Sequence, residues 1–344
     1  MRLKQSYNLW FAALSVALLL FFALDICSGS IWLLSDGLWS WSDGLTDLGN
    51  NILLQLRLPR AITAILAGAA LSVSGLMMQT LFRNPLAGPY ILGVSSGAGL
   101  GVALVTMCST MLGFQLVALG QVAVATSAVI GAAAVLLLVL AVARKVKNNV
   151  SLLIVGMMIG SIAGALVNLI QNFANPDALK LFIVWTLGSL SSVGWTELLI
   201  LSITILVGAI LVLTLVKPLN GLLLGENYAR ALGVNIERTR RMIVIATCLL
   251  AGGITAFCGP IAFVGVAVPH IARGLFQTSN HRTTVAATAL VGSNLLLICD
   301  ILCNKSFRLE HINRELCYVL IWLPYYRSRS IRYIYNIRKT FHFF

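Results

Sequence analysis

Apolar runs long enough to carry a helix across the roughly 30 Å hydrocarbon core of a bilayer recur along the chain at about 9–27, 61–82, 91–111, 115–143, 151–173, 197–216, 242–258, 261–276 and 283–303. The run at 261–276 is short for a crossing. In lipid every backbone N–H and C=O must be satisfied within the segment, so runs of this length and composition can only be helices. Composition closes off the soluble alternative. The 344 residues are 59% hydrophobic and only 10% charged, where a soluble chain carries about 25% charge. The expected fold class is an all-α polytopic membrane helix bundle. One weaker apolar patch, 179–190, reads as an interfacial or re-entrant helix.

The formal net charge of +13 does not point to nucleic acid, because the basic residues lie between the spans. With the N-terminus inside, the inner segments hold Arg83, then Arg144, Lys145 and Lys147, then a cluster from Lys217 to Arg241, then Arg273 and Arg282. The outer segments hold Asp36, Asp43 and Asp47, an uncharged link near Gly113, and Asp177 with Lys180. This is positive-inside sorting. Arg57 and Arg60, around Pro59, break it by falling at the outer surface. They read either as snorkelling anchors or as a cationic docking point for an acidic partner. The first run could be a signal peptide, but no small-x-small cleavage site follows it, so a retained span is expected. The seven cysteines show no metal-ligand spacing. Cys27, Cys108, Cys248, Cys258 and Cys299 lie in or beside apolar runs and read as small buried hydrophobes.

Two spans carry glycines at every fourth position: Gly93, Gly97 and Gly101, and Gly156, Gly160 and Gly164. Such faces let a neighbouring backbone approach closely and predict tight helix packing. No span has a central Lys or Arg, and Asp300 is the single acidic candidate for ion coupling. No phosphate-cradling G-x-x-x-x-G-K-[ST] and no H-E-x-x-H is present. His270 and His281 are too far apart for a one-helix metal pair. No cofactor or metal is expected, and the chain is not read as an enzyme. A pump of this kind must draw its energy from a partner. The polar inner segment 217–241 contains Gly225-Glu-Asn-Tyr-Ala-Arg-Ala-Leu-Gly-Val-Asn235. It suits two short helices standing off the bundle, or an ordinary amphipathic linker.

Five pieces now occur in one order: LRLPR (Leu56 to Arg60), GLMMQTLFRNPLAGPYILGVSSGAGLG (Gly75 to Gly101), GENYARALGVN, GPIAFVGVAVPHIAR (Gly259 to Arg273) and His281-Arg282. Together they resemble the FecCD-type permeases of ABC importers for iron-siderophores, haem and vitamin B12, over about 55–300. The resemblance implies about ten spans, a permease dimer (a homodimer is expected), cytoplasmic ATPase subunits, a periplasmic or lipid-anchored substrate-binding protein, and residence in the bacterial cytoplasmic membrane. It implies that Arg57 and Arg60 dock the binding protein. It also implies that Gly225, Glu226, Ala229, Leu232 and Gly233 belong to the coupling helix that meets the ATPase. Asn168, Gln171 and Asn172 fall on the span that resembles the lining of the translocation path.

The expected permease domain is 1–303. The family's tenth span is missing from 304–344, which instead carries eight Lys or Arg against two Glu. Reading permitted codons from Asn313 one base ahead yields a run similar to that span. The tail therefore reads as the product of a frameshift near Leu309 to Arg314. An ion-coupled secondary transporter, resting on Asp300, and a non-transporting membrane scaffold are the competing readings.

Overall fold

The computed structural model describes residues 2–28, 39–40, 44–108, 120–143 and 149–305. The inner cluster at 144–147, the aspartates Asp36 and Asp43, and the proposed frameshift lie outside these residues. The described chain is helical apart from a two-residue ribbon, β1 (Trp39–Ser40) with β2 (Gly44–Leu45). The helices are α1 (Arg2–Cys27), α2 (Asp47–Phe82), α3 (Val94–Ala103), α4 (Gly120–Ala143), α5 (Asn149–Gln171) and α6 (Pro176–Thr186). They continue as α7 (Trp195–Leu224), α8 (Glu226–Ala231), α9 (Ile236–Cys258), α10 (Val264–Phe276) and α11 (His281–Lys305). Among the described residues, seven candidate spans are long and apolar enough to cross a membrane, and Val94–Met107 and Val264–Phe276 are shorter apolar helices. The patch at 179–190 falls on α6, whose 11 residues are too few to cross.

Helix ends overrun the hydropathy boundaries on the polar sides. The run expected to begin near 61 is a helix from Asp47, that expected to end near 216 continues to Leu224, and that expected from 242 starts at Ile236. Hydropathy marks where the hydrocarbon ends, whereas the backbone ladder continues until a cap or glycine stops it. Gly225, with φ +119°, ends α7. Asn235 starts α9 by accepting the Arg238 N–H at 3.0 Å. In α2 the residues Ile52–Arg57 form a π turn just before Pro59. Proline cannot donate to the carbonyl four residues back and crowds it. Widening the preceding turn accommodates the ring without breaking the helix.

The buried axis is α2, where nearly every residue from Ala61 to Leu81 is shielded. It packs between α10 and α11, with α7 and α9 alongside. Lipid supplies no hydrophobic drive between helices, so backbone approach and polar contacts must hold them. At Gly68 an added Cβ would fall on the Gly292 carbonyl of α11; at Gly75 it would fall on the Gly265 carbonyl of α10. Ser293 Oγ donates to the Ile65 carbonyl at 2.8 Å beside the first crossing. On the outside, α1 packs on α11 and sets Phe11 4.7 Å from the Phe276 ring.

A second group gathers α3, α4 and α5. Here the predicted glycine faces divide among partners. Gly97 and Gly101 meet α4 at Gly131 and Ser127, while Gly93 meets α5 at Gly156 and Gly160. Gly93 is not helical: it ends the 3-10 turn Pro89–Leu92 at φ +76°. Gly164 departs from the packing expected of it, with nothing within 4 Å of the Cβ position. The turn at Gly93 crosses α5 near Gly156 and Gly160, so one turn further along α5 the neighbour is gone. Cys248, Cys258 and Cys299 are buried in the bundle.

Candidate functional site

Two polar clusters sit at opposite ends of the α2–α11 pair. At the outer end Arg60 Nε and Nη2 donate to the two oxygens of Asp300, at 2.7 and 2.8 Å. The guanidinium fork fits a carboxylate in this bidentate way. The Asp300 side chain is fully buried and that of Arg60 is 20% exposed. Asp300 is therefore not an uncompensated acid at the membrane face. The acidic candidate for ion coupling is thus already ion-paired within its own chain. Arg57, one turn before, donates through Nη1 to the Ile26 and Cys27 carbonyls at 2.9 and 3.2 Å. Those carbonyls belong to the C-terminal end of α1, where unpaired acceptors and the helix dipole favour a cation. Both arginines thus also brace their own chain, a role that hydropathy and charge counting missed.

The inner cluster is built on the last turns of α2. Gln79 Nε2 donates to the Val266 carbonyl at 3.0 Å, and Arg273 Nη1 donates to Gln79 Oε1 at 3.0 Å. Thr80 Oγ1 lies 2.9 Å from His281 Nε2. The His281 main-chain N–H and its Nδ1 both reach Asn220 Oδ1, at 2.8 and 2.9 Å. Asn220 Nδ2 donates to Asn280 Oδ1 at 3.1 Å. His281 is the first residue of α11 and Asn220 stands in the last turns of α7, so the knot joins α2, α7 and α11. His270 lies apart, with Nε2 2.9 Å from the Pro85 carbonyl. Among the described residues no group of three or more His, Cys, Asp or Glu could hold a metal ion.

The spacing of Glu226, Ala229 and Gly233 acquires a physical reason in α8. Glu226, at its start, accepts from Asn149 Nδ2 of α5 and lies 3.7 Å from Arg240 Nη2 of α9. Ala229 is fully buried, and its Cβ is 3.5 Å from the Cβ position of Gly221. A larger side chain has no room there. Gly225 and Gly233 adopt φ +119° and +82°, which favour glycine. At Gly225 a Cβ would also stand 2.9 Å from Arg83 Nη2, which donates to the Leu222 carbonyl. The opposite face shows Tyr228 and Leu232, 59% and 61% exposed. The result is a short helix braced from behind, with an apolar and aromatic face turned outward.

Asn168 is exposed on α5, Gln171 at its last position is half-buried, and Asn172 just beyond it is exposed. They lie on the chain's surface, beside Met157, Met158, Ile162, Leu166 and Leu169, which are also exposed.

The profile of the FecCD transport family matches residues 17–325. The uncharacterized ABC transporter permease protein YvrB of Bacillus subtilis (strain 168) is 39% identical over 255 residues, covering 73% of this chain and 70% of that protein. The vitamin B12 import system permease protein BtuC of Escherichia coli (strain UMN026) is 36% identical over 306 residues, 87% of this chain and 88% of its own. A solved structure described as an inward-facing conformation of a metal-chelate type ABC transporter superposes with a TM-score of 0.80 at 28% identity. It covers 94% of this chain and 99% of that one.

Proposed function

The chain belongs to the FecCD transport family, and from that premise we propose that it is the permease subunit of an ATP-driven importer carrying a metal chelate or a vitamin B12-type corrinoid across the bacterial cytoplasmic membrane. ATP hydrolysis resides in a separate cytoplasmic subunit. The observation that carries this reading is α8. A helix of 6 residues, bracketed by two left-handed glycines and fixed through Glu226 and Ala229, offers Tyr228 and Leu232 outward. That is the form of a rigid knob for the cleft of an ATPase, whose closure then moves the helices rooted behind it. Gly225, Glu226, Ala229, Leu232 and Gly233 are its coupling residues.

At the other face Arg57 and Arg60 form the docking end for acidic residues of a substrate-binding protein. Two of the five N–H donors of Arg60 engage Asp300, leaving the rest of the guanidinium for a partner carboxylate. The exposed face of α5 with Asn168, together with Gln171 and Asn172 at its end, lines a path shared with a second permease chain. Its apolar residues need a cover of lipid or protein. Asp300, the acidic candidate for ion coupling, is held in the pair with Arg60.

Co-expression with the cognate ATPase tests the reading. The two proteins should purify together, and hydrolysis should rise when loaded binding protein is added. Substrate uptake that persists without any ATPase would overturn it in favour of ion coupling.

A further inference from the structure

Lys217 of α7 and Arg238 of α9 line one groove of about 700 Å³, formed where the end of α7 faces the beginning of α9. Both are exposed. The ion pairs found among the described residues use Arg60 and Arg240, so neither groove cation has an acidic partner there. No Asp or Glu is among the lining residues. Asn220 also lines the groove, but its amide is taken up by His281 and Asn280. The charge of the groove is therefore that of two cations on different helices. Pro218, Leu224 and Met242 supply an apolar wall.

The groove ends a stripe. Leu199, Ile203, Leu206, Ile210 and Leu213 of α7 are each more than half exposed. Their spacing of three and four residues puts them on one helix face, and the next position on that face is Lys217. In a bilayer an exposed apolar face of this length lies against acyl chains, and a lysine at its end reaches for the headgroup level. The charge distribution puts this end at the cytoplasmic surface, where anionic lipids concentrate.

We propose that this groove binds one anionic glycerophospholipid, with its phosphate between Lys217 and Arg238 and its acyl chains along the α7 stripe. Uncharged Thr239 lines the same groove and offers a hydroxyl to the headgroup. The groove borders the C-terminal end of α8, sharing Leu232 and Gly233 with it, and the proposal does not depend on what the protein transports.

Native mass spectrometry of the purified full-length protein, titrated with phosphatidylglycerol against phosphatidylcholine, reads the site. A juxtamembrane cation contributes about 1 kcal/mol toward an anionic lipid, so two give a preference of roughly thirtyfold. The double variant Lys217→Gln/Arg238→Gln should bring that preference to within about twofold. A charge-matched control, Arg241→Gln/Arg282→Gln, removes two exposed cations outside the groove at the same end and should leave it intact. Equal loss in the control means a diffuse surface potential and overturns the site. So does an unchanged preference in the double variant, as expected if a second copy of the chain covers the stripe. Displacement of the lipid by millimolar inorganic phosphate would identify a free-phosphate site and overturn the lipid assignment. An unchanged elution profile and thermal melt in detergent verify that the double variant is folded. Should the ATPase never associate while the lipid preference stands, the transport reading fails and the lipid site does not.

Discussion

Arg60 and Asp300 form a buried contact whose two halves are unequal: the carboxylate is fully enclosed and the guanidinium is 20% exposed. Removing one partner of a fully buried pair costs about 3–5 kcal/mol, because the other is left uncompensated. The residual exposure of Arg60 lowers this, so Asp300→Ala should destabilise the protein by about 2–3 kcal/mol, read as a drop in Tm in detergent. Replacing both, as Arg60→Met/Asp300→Leu, should recover most of the loss. A double variant no more stable than Asp300→Ala would show that the pair's value lies elsewhere. The two residues had each stood out in the sequence, one as a cation on the wrong side and the other as a lone acid. Their pairing is not in the sequence reading, because 240 residues separate them and neither run points to the other.

Individual elements show what a linear reading can and cannot recover. The α8 motif was readable, because its residues are neighbours and two of them are glycines in a turn. The crossings of α2 were not. Gly68 and Gly75 show no regular glycine pattern, and their partners Gly292 and Gly265 lie in distant helices. Conversely, the regular spacing of Gly156, Gly160 and Gly164 overstated the contact, since packing ends before the third. The contrast is measurable. Gly75→Val places side-chain atoms on the α10 backbone and should destabilise by about 3 kcal/mol or more, whereas Gly164→Val should stay within about 0.5 kcal/mol of the parent. Thermal unfolding of the two variants side by side tests this; equal Tm values would contradict the structure. The inner knot makes a parallel statement about α7. Asn220→Ala strands the His281 N–H and should cost about 1–3 kcal/mol, and its shorter side chain also releases α7 from α11. It should therefore weaken ATPase stimulation more than an equally destabilising change within α1 does.

Across the whole molecule, the α2–α11 pair spans from the arginines to the knot beneath α8. The proposed docking end and the proposed coupling helix are thus joined along one helix pair, with Ser72 and Ser74 of α2 and Ser293 and Asn294 of α11 buried between its ends. Arg57→Glu/Arg60→Glu should reduce binding-protein affinity at least tenfold at low ionic strength, and the parental affinity itself should fall as salt is raised. Surface plasmon resonance across a salt series measures both; affinity that ignores salt and the substitutions would remove the arginines from docking. The same pair carries a consequence for biosynthesis. Arg60 and Asp300 are 240 residues apart, and chains grow at about 5–20 residues per second. The helix bearing Arg60 therefore waits in the membrane for roughly 10–50 s before its carboxylate is even synthesised. Throughout that interval the arginine must be kept at the water boundary or be held by an insertase. Closure of the bundle's central axis is a late, post-insertion event, timed by the ribosome.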